Sequence, residues 1–313
     1  MDAQTRTQER YLAAVEALVA KLKRDRYVLA AILGGSVARG EAWERSDVDL
    51  FVIRQDGLER ETGSCWLVED GINIWVEILS RNEYKRTIAG ALQGSVFHSV
   101  YAGSKLLFSQ DASIEAWFAE ADRMGARDQT YQLLREVAWV PYYLDKAEKW
   151  FHVKDDLHYS FLWILYTANY LARVEVLLNG DLPTREAIHQ AIAYNPTFFH
   201  AVYTDLIDGP KDGGTIGQAL MLLDAYLEER AGRLFGPILD YLAAADGART
   251  LSEINAHLRK KTRMGDLFAA YEWLARKGII EKLAAPIRLT RKSQVTLEEP
   301  AYYYDPEIHA REA

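Results

Sequence analysis

The feature that most constrains the fold is a turn of small residues followed closely by two aspartates. A Gly-Gly-Ser segment at 34–36 comes directly after an apolar run at 27–33, and an Asp-Val-Asp segment at 47–49 opens a second apolar run. The first run has the character of a buried strand. Because glycine has no Cβ, the chain can turn sharply after this strand and bring its backbone close to a ligand.

A helix that starts after this turn offers a place for phosphate. Ser36 is predicted to cap a helix beginning at Val37. The first turn of a helix presents free N–H groups and the positive end of the helix dipole, and both favour an anion. Gly35 and Ser36 are therefore the predicted phosphate-binding residues, and Arg39 can add charge-assisted hydrogen bonds. The spacing matches neither a Walker loop nor a dinucleotide-binding motif.

The two aspartates predict a metal site. Asp47 and Asp49 point in the same direction if a strand begins at Val48, since side chains alternate along a strand. Neighbouring carboxylates repel each other and are tolerated where a divalent cation lies between them. Mg²⁺ prefers a few carboxylates together with substrate phosphate oxygens. A phosphate-binding turn beside such a pair predicts metal-assisted nucleotidyl transfer.

Together these motifs resemble the nucleotidyltransferase superfamily of the DNA polymerase β type, most closely its antibiotic-modifying and minimal nucleotidyltransferase branches. That family carries a Gly-Ser turn, an Asp-x-Asp pair and a third acidic residue on a later strand. Gly35 and Ser36 match the turn, Asp47 and Asp49 match the pair, and Glu77 is the best match to the third acid. The resemblance has motif support over residues 28–80.

The phase of Glu77 favours it as the third acid. It alternates with aliphatic residues in a predicted strand over 72–80, so it shares a face with the two aspartates if helices cover the aliphatic face. Glu69 and Asp70 are rivals. The following Gly71 instead places them in a hairpin turn between strands at 64–68 and 72–80.

The resemblance implies an enzyme that uses Mg²⁺, or Mn²⁺, and an NTP, with ATP the expected nucleotide. It would transfer NMP to an acceptor hydroxyl and release pyrophosphate. Asp47, Asp49 and Glu77 would hold metal, and Glu77 could instead accept the proton of the hydroxyl. The acceptor stays open between a small molecule of the aminoglycoside or lincosamide type and a macromolecule such as a protein side chain or a tRNA end.

Composition narrows the class of protein. The chain has 313 residues, a net charge of −8 and one cysteine, Cys65. A single cysteine excludes an internal disulfide framework and fits a reducing compartment, so a cytoplasmic location is expected. The polar N-terminus does not resemble a signal peptide, and no apolar stretch is predicted to span a membrane. The negative charge argues against a protein that coats nucleic acid.

Three domains are predicted. The first, over 1–125, is an α/β (α+β) catalytic domain with a mixed sheet and helices on one face. The second, over 126–232, is a helical bundle rich in aromatic residues, whose position in the chain resembles the acceptor-binding domain of antibiotic nucleotidyltransferases. Glu136, Asp145 and Glu148 are candidate bases there.

The third region, over 233–313, is predicted to be winged-helix-like. It has three helical segments followed by short strands at 279–283, 287–290 and 294–297. Basic residues flank its last helix and mark its hairpin, but the segment 234–313 holds 12 basic and 11 acidic residues. Contact with DNA, with a protein or with a second copy all stay open. The alternative functions are a nucleotide-sensing transcriptional regulator and an antitoxin-like protein.

Overall fold

The computed structural model describes residues 3–59, 63–91, 103–121, 126–184, 186–262, 264–290 and 292–306. The chain divides into two compact units, Met1–Gly125 and Ala126–Ala313. The division into three domains stays a prediction. A mixed sheet followed by a mainly helical region confirms the predicted fold class.

The first unit contains a five-stranded sheet in the order β3-β4-β2-β1-β5. Strands β2 and β4 are parallel, and the other neighbours are antiparallel. The elements, in chain order, are α1 (Ala3–Leu22), β1 (Val28–Gly34), α2 (Gly35–Arg39), β2 (Val48–Arg54), β3 (Ser64–Glu69), β4 (Ile72–Ser80), α3 (Arg81–Ala91), β5 (Lys105–Ser109) and α4 (Ala112–Ala121).

Helices pack against both faces of this sheet, so the prediction of helices on one face was wrong. The apolar stripe of α1, which includes Val15 and Leu18, packs on the face that carries Leu50. Tyr84 of α3 and Ile114 of α4 share a second core with alternate apolar residues of β1 and β2. The reason is that β1 and β2 carry apolar side chains on both faces of the sheet. Each apolar face is stabilised by burial away from water, so each is covered by helices.

The hairpin of β3 and β4 confirms the sequence prediction. Asp70 and Gly71 form its tip with φ values of 49° and 73°, which suit the left-handed conformation of a tight hairpin turn. Glu69, just before the turn, pairs with Lys21 of α1 at 2.6 Å. Both rivals of Glu77 therefore belong to the hairpin end. The sequence pattern predicts a helix over 81–92, and the last of these residues, Leu92, lies outside the described residues.

The second unit is helical, with a small three-stranded antiparallel sheet in the order β6-β8-β7. The backbone forms a π-helical turn at His200–Thr204. The other elements, in chain order, are α5 (Ala126–Val137), α6 (Val140–His152), α7 (Leu157–Leu178), α8 (Ala187–Tyr194), α9 (Pro196–Phe199), α10 (Asp205–Asp208), α11 (Gly213–Leu234), α12 (Gly236–Ala243), β6 (Arg249–Thr250), α13 (Leu251–Thr262), α14 (Phe268–Arg276), β7 (Glu281–Ile287) and β8 (Leu297–Tyr303).

Helix α7 is long and apolar enough to cross a membrane by length and composition, the one such helix among the described residues. The expectation that no stretch meets that criterion was therefore wrong. Half of its most apolar window is buried inside the unit. Its Glu175 accepts a hydrogen bond of 2.6 Å from the Tyr226 hydroxyl of α11. A core helix of a bundle satisfies the same criterion, so the helix is weak support for a membrane span.

The end of the second unit has a helix, a two-residue strand, two more helices and a two-stranded hairpin, in that order. The winged-helix-like assignment of this region stays a prediction. The predicted strand bounds were wrong, because residues 288–296 connect β7 to β8. Thr290 and Ser293 close a turn there, with Ser293 N–H donating to the Thr290 carbonyl at 3.0 Å. Strand β8 instead continues to Tyr303, which places Ala301 and Tyr302 in the core.

Candidate active site

The turn after β1 differs in detail from the prediction. Helix α2 begins at Gly35, and extended Gly34 occupies the N-cap position without a side-chain cap. Ser36 therefore lies inside the first turn and does not cap it. Its Oγ is 3.3 Å from Oγ of Ser46, across the loop that leads to Asp47. The extended conformation that a cap requires comes two residues earlier than predicted, so the helix starts earlier too.

Gly35 and Asp49 are in direct contact. Gly35 has a φ of 70°, which glycine adopts without steric cost. A Cβ at this position would overlap Oδ2 of Asp49. The contact follows from the antiparallel register of β1 and β2, which places Gly34 opposite Asp49. The structure therefore brings the predicted phosphate turn and one predicted metal ligand together.

The predicted acids occupy neighbouring strands. Asp49 of β2 is opposite Trp75 of β4, and Glu77 is opposite Phe51. Since opposite residues of paired strands share a face, Asp49 and Glu77 are diagonal neighbours on one face of the sheet. Both are half-buried, whereas Asp47, one residue before β2, is exposed.

These acids do not form a preassembled three-ligand cluster. Within the described ranges no group of three or more His, Cys, Asp or Glu side chains is arranged to hold a metal ion. Mg²⁺ commonly uses one or two carboxylates and completes its shell with substrate phosphates and water. The Asp49 carboxylate beside the Gly35 turn fits that kind of site. The assignment of Asp47, Asp49 and Glu77 as metal ligands stays a prediction.

Two residues of α1 hold the loop between the turn and the aspartates. Gln8 Nε2 donates to the Val37 carbonyl at 2.8 Å, and Gln8 Oε1 accepts from Ala42 N–H at 3.1 Å. The buried Tyr11 donates from its hydroxyl to the Ser46 carbonyl at 2.8 Å. Neither role was predicted from the sequence. Only Tyr11 gave a signal, because a buried tyrosine hydroxyl requires a partner.

Arg39 lies in the last turn of α2. Its Nε donates to Oε2 of Glu41 at 2.8 Å, and its side chain is half-buried. A guanidinium has five N–H donors, so this bond leaves donor capacity for a phosphate. The predicted role of Arg39 in phosphate binding stays a prediction.

The candidate bases of the second unit have different surroundings. Glu136 accepts two hydrogen bonds from Arg173, at 2.7 and 3.0 Å, and Asp145 pairs with Arg276 at 2.6 Å. Burial, followed by repulsion from Asp145 and Asp224, raises the pKa of Glu148. A raised carboxyl pKa suits proton acceptance near neutral pH, whereas an arginine partner opposes it. Of the three candidates, Glu148 has the surroundings that best suit a base, and that role stays a prediction.

Helix α14 packs against the bundle helices of its own unit. Trp273 Nε1 donates to Oδ1 of Asp224 at 3.0 Å, and Lys277 pairs with Glu228 at 2.7 Å. Arg276 pairs with Asp145 of α6. The basic groups at the end of α14 are thus engaged with acids of α6 and α11. The residues predicted to contact phosphate are different ones. Those that the structure describes are exposed: Arg259, Lys260, Lys261, Arg288 and Lys292. Arg263 and Arg291 lie outside the described residues.

Part of the chain matches a known protein family, and a solved structure has a similar fold. Residues 16–113 match the family described as "Polymerase beta, Nucleotidyltransferase", a range that includes the turn, both aspartates and Glu77. The crystal structure of a nucleotidyltransferase-like protein from Exiguobacterium sibiricum 255-15 is similar with a TM-score of 0.63 and 16% identity. The similarity covers 93% of this chain and 98% of that one, and at this identity it is a likeness of fold. No curated protein matches the chain.

Proposed function

We propose that this chain, whose residues 16–113 belong to the polymerase β nucleotidyltransferase superfamily, transfers NMP from an NTP to a hydroxyl of an acceptor. The observation that carries the proposal is the contact of the Asp49 carboxylate with the Gly35 turn. The turn offers backbone N–H groups to the phosphates of a nucleotide, and the carboxylate offers oxygen ligands to the divalent cation that accompanies them. ATP is the proposed nucleotide.

The transfer is a single displacement at phosphorus. The acceptor oxygen forms a bond to the α-phosphorus while the bond from that phosphorus to the pyrophosphate oxygen breaks. The electron pair of the broken bond leaves with pyrophosphate, and the hydroxyl proton passes to a base. The attacking and leaving oxygens are roughly in line in such a displacement.

The residues of the first unit have separate proposed roles. Backbone N–H groups at Gly35 and Ser36 bind the terminal phosphates, and Arg39 adds a positive charge. Asp47 and Asp49 would hold Mg²⁺ or Mn²⁺, and the ion would supply positive charge to the α-phosphate and to pyrophosphate. Glu77 completes that shell or accepts the proton of the hydroxyl.

Calorimetric titration with Mg–ATP tests the proposal. Wild type is expected to bind, and Asp49→Asn is expected to weaken the magnesium-dependent part about 10-fold, as one lost charge-assisted contact of roughly 1.5 kcal/mol would do. Asp70→Asn is the matched control, because it removes the same charge and asparagine tolerates the left-handed turn. The proposal fails if wild type binds no NTP with Mg²⁺ or Mn²⁺, or if both variants bind as wild type does.

A further inference from the structure

Two tryptophans continue the face of the sheet that carries the predicted acids. Trp75 of β4 is directly opposite Asp49, and on its other side it is opposite Trp66 of β3. The two indole rings lie 5.1 Å apart at an angle of 56°. Trp66 is 56% exposed, and Val68, next along the same face of β3, is 68% exposed.

The opposite face of the same two strands behaves differently. Ile74 and Val76 are buried in the core below α1, and Cys65 and Leu67 pack against that core. The hairpin therefore has one packed face and one face where large apolar groups meet water. Adjacent exposed apolar side chains beside a polar site commonly mark a binding surface.

The in-line arrangement of the leaving and attacking groups indicates which ligand would contact this surface. Across the sheet the order is the Gly35 turn at β1, Asp49 at β2, then Glu77 and Trp75 at β4, then Trp66 at β3. With terminal phosphates at the turn and the α-phosphate beside Asp49, pyrophosphate leaves towards β1. In-line geometry then places the acceptor on the opposite side, above β4 and β3.

We infer that Trp66 and Trp75 form a stacking platform for a ring of the acceptor, adjacent to the hydroxyl that is modified. This inference rests on the proposed nucleotidyl transfer and names its acceptor side. The two tryptophans determine specificity; they take no part in bond making. The flat apolar face of an indole packs on an aromatic ring by stacking and on a saturated ring by dispersion contact with its C–H groups.

The charges on this face narrow the class of acceptor. Its described positions are 49, 51 and 53 of β2, 64, 66 and 68 of β3, and 73, 75, 77 and 79 of β4, and the charged residues among them are Asp49 and Glu77. The described positions of this face carry no basic side chain that would bind a phosphate chain, and the two indole faces attract a cation. The acceptor is therefore an uncharged or cationic hydroxyl-bearing ring, and a nucleic-acid end is disfavoured.

Transfer of radiolabel from [α-³²P]ATP with Mg²⁺ tests the inference. The probes are methyl glucosaminide as a cationic ring, methyl glucoside as a neutral ring and a short RNA with a free 3′-hydroxyl. Trp66→Ala is expected to raise KM for the better ring probe about 10-fold, the loss of one stacking contact, with kcat and Mg–ATP binding unchanged. Trp66→Phe keeps a ring and should lose less than about 3-fold on the same scale. Val68→Ala, an exposed change on the same face, is the matched control.

The outcomes separate this inference from the proposed function. Absence of Mg–ATP binding by wild type overturns both. If Mg–ATP binds and Trp66→Ala leaves the ring KM unchanged, only the platform is overturned. The same holds if Mg–ATP binds but neither ring probe is labelled, if RNA is the better acceptor, if Trp66→Ala weakens Mg–ATP binding, or if it converts a dimer to a monomer in analytical ultracentrifugation.

Discussion

Replacing Gly35 with alanine separates the two constraints that act at the turn. The first is backbone conformation: at a φ of 70° an L-residue costs about 1–2 kcal/mol relative to glycine. The second is space, because the new Cβ would overlap Oδ2 of Asp49. The carboxylate or the turn must then move, which adds about 1–3 kcal/mol of overpacking. We expect a total loss of about 2–5 kcal/mol in the free energy of unfolding of the first unit.

Gly71→Ala is the matched control for this experiment. Gly71 has a φ of 73°, nearly that of Gly35, but a Cβ there meets nothing within 4 Å. Its substitution therefore measures the backbone cost alone. Urea denaturation of both variants gives the difference, and calorimetric titration with Mg–ATP shows whether the displaced carboxylate matters for binding.

The expected result is that Gly35→Ala is less stable than Gly71→Ala and binds Mg–ATP at least about 10-fold more weakly, the loss of one charge-assisted contact. Displacement of Asp49 is the reason for both effects. Equal destabilisation of the two variants would show that the Asp49 carboxylate does not pack on Gly35. Wild-type affinity in a clearly destabilised Gly35→Ala protein would show that the contact has no part in nucleotide binding.

Two further predictions concern stability and partners. Hydrogen bonds from Ser113, followed by the one from Arg81, lower the pKa of Asp111 below its ordinary value of 3.8. The stability that Asp111 contributes is therefore present above its unfolded pKa and is lost as pH falls through its folded pKa. Asp111→Asn should flatten the acid limb of a urea-denaturation series at about pH 2–5, and an unchanged limb would contradict this. Trp273 is 2% exposed and its indole donates a hydrogen bond to Asp224, so Trp273→Ala should lower the free energy of unfolding by about 3–5 kcal/mol. Wild type should show no steep salt-dependent binding to duplex DNA, and a steep slope would favour the regulator hypothesis.

The sequence predicted the main parts of the first unit because its signals there are local. Period-two alternation identified β2 and β4, and Asp70-Gly71 identified the hairpin. The second core was missed, since the partners Tyr84 and Ile114 are far from β2 in the chain. The early start of α2 was missed because Gly34 takes the cap conformation without a side chain that signals it.

The same limit applies to the roles of Gln8 and of α14. Gln8 forms hydrogen bonds with two backbone groups about 30 residues away, and no residue spacing in the sequence predicts a hydrogen bond of that kind. Arg276 and Lys277, at the end of α14, meet acids on α6 and α11 that lie far earlier in the chain, and no pattern in the sequence predicted these pairs. Charge in a sequence indicates which groups need a partner, and tertiary packing decides whether that partner is solvent, a ligand or the chain itself.

The topology explains why turn and acids meet although 13 residues separate Gly34 from Val48. Because β1 and β2 are antiparallel neighbours, the end of β1 is necessarily beside the start of β2, so Gly35 and Asp49 are adjacent whatever the loop between them does. Because β4 is parallel to β2, Trp75 and Glu77 come to the same end of the sheet. Phe51 and Ile53, further along β2, are covered by the second core. One face of one strand thus changes from core to predicted site within two residues, and the proposed nucleotide chemistry falls at the end of the sheet where the chain turns at Gly35.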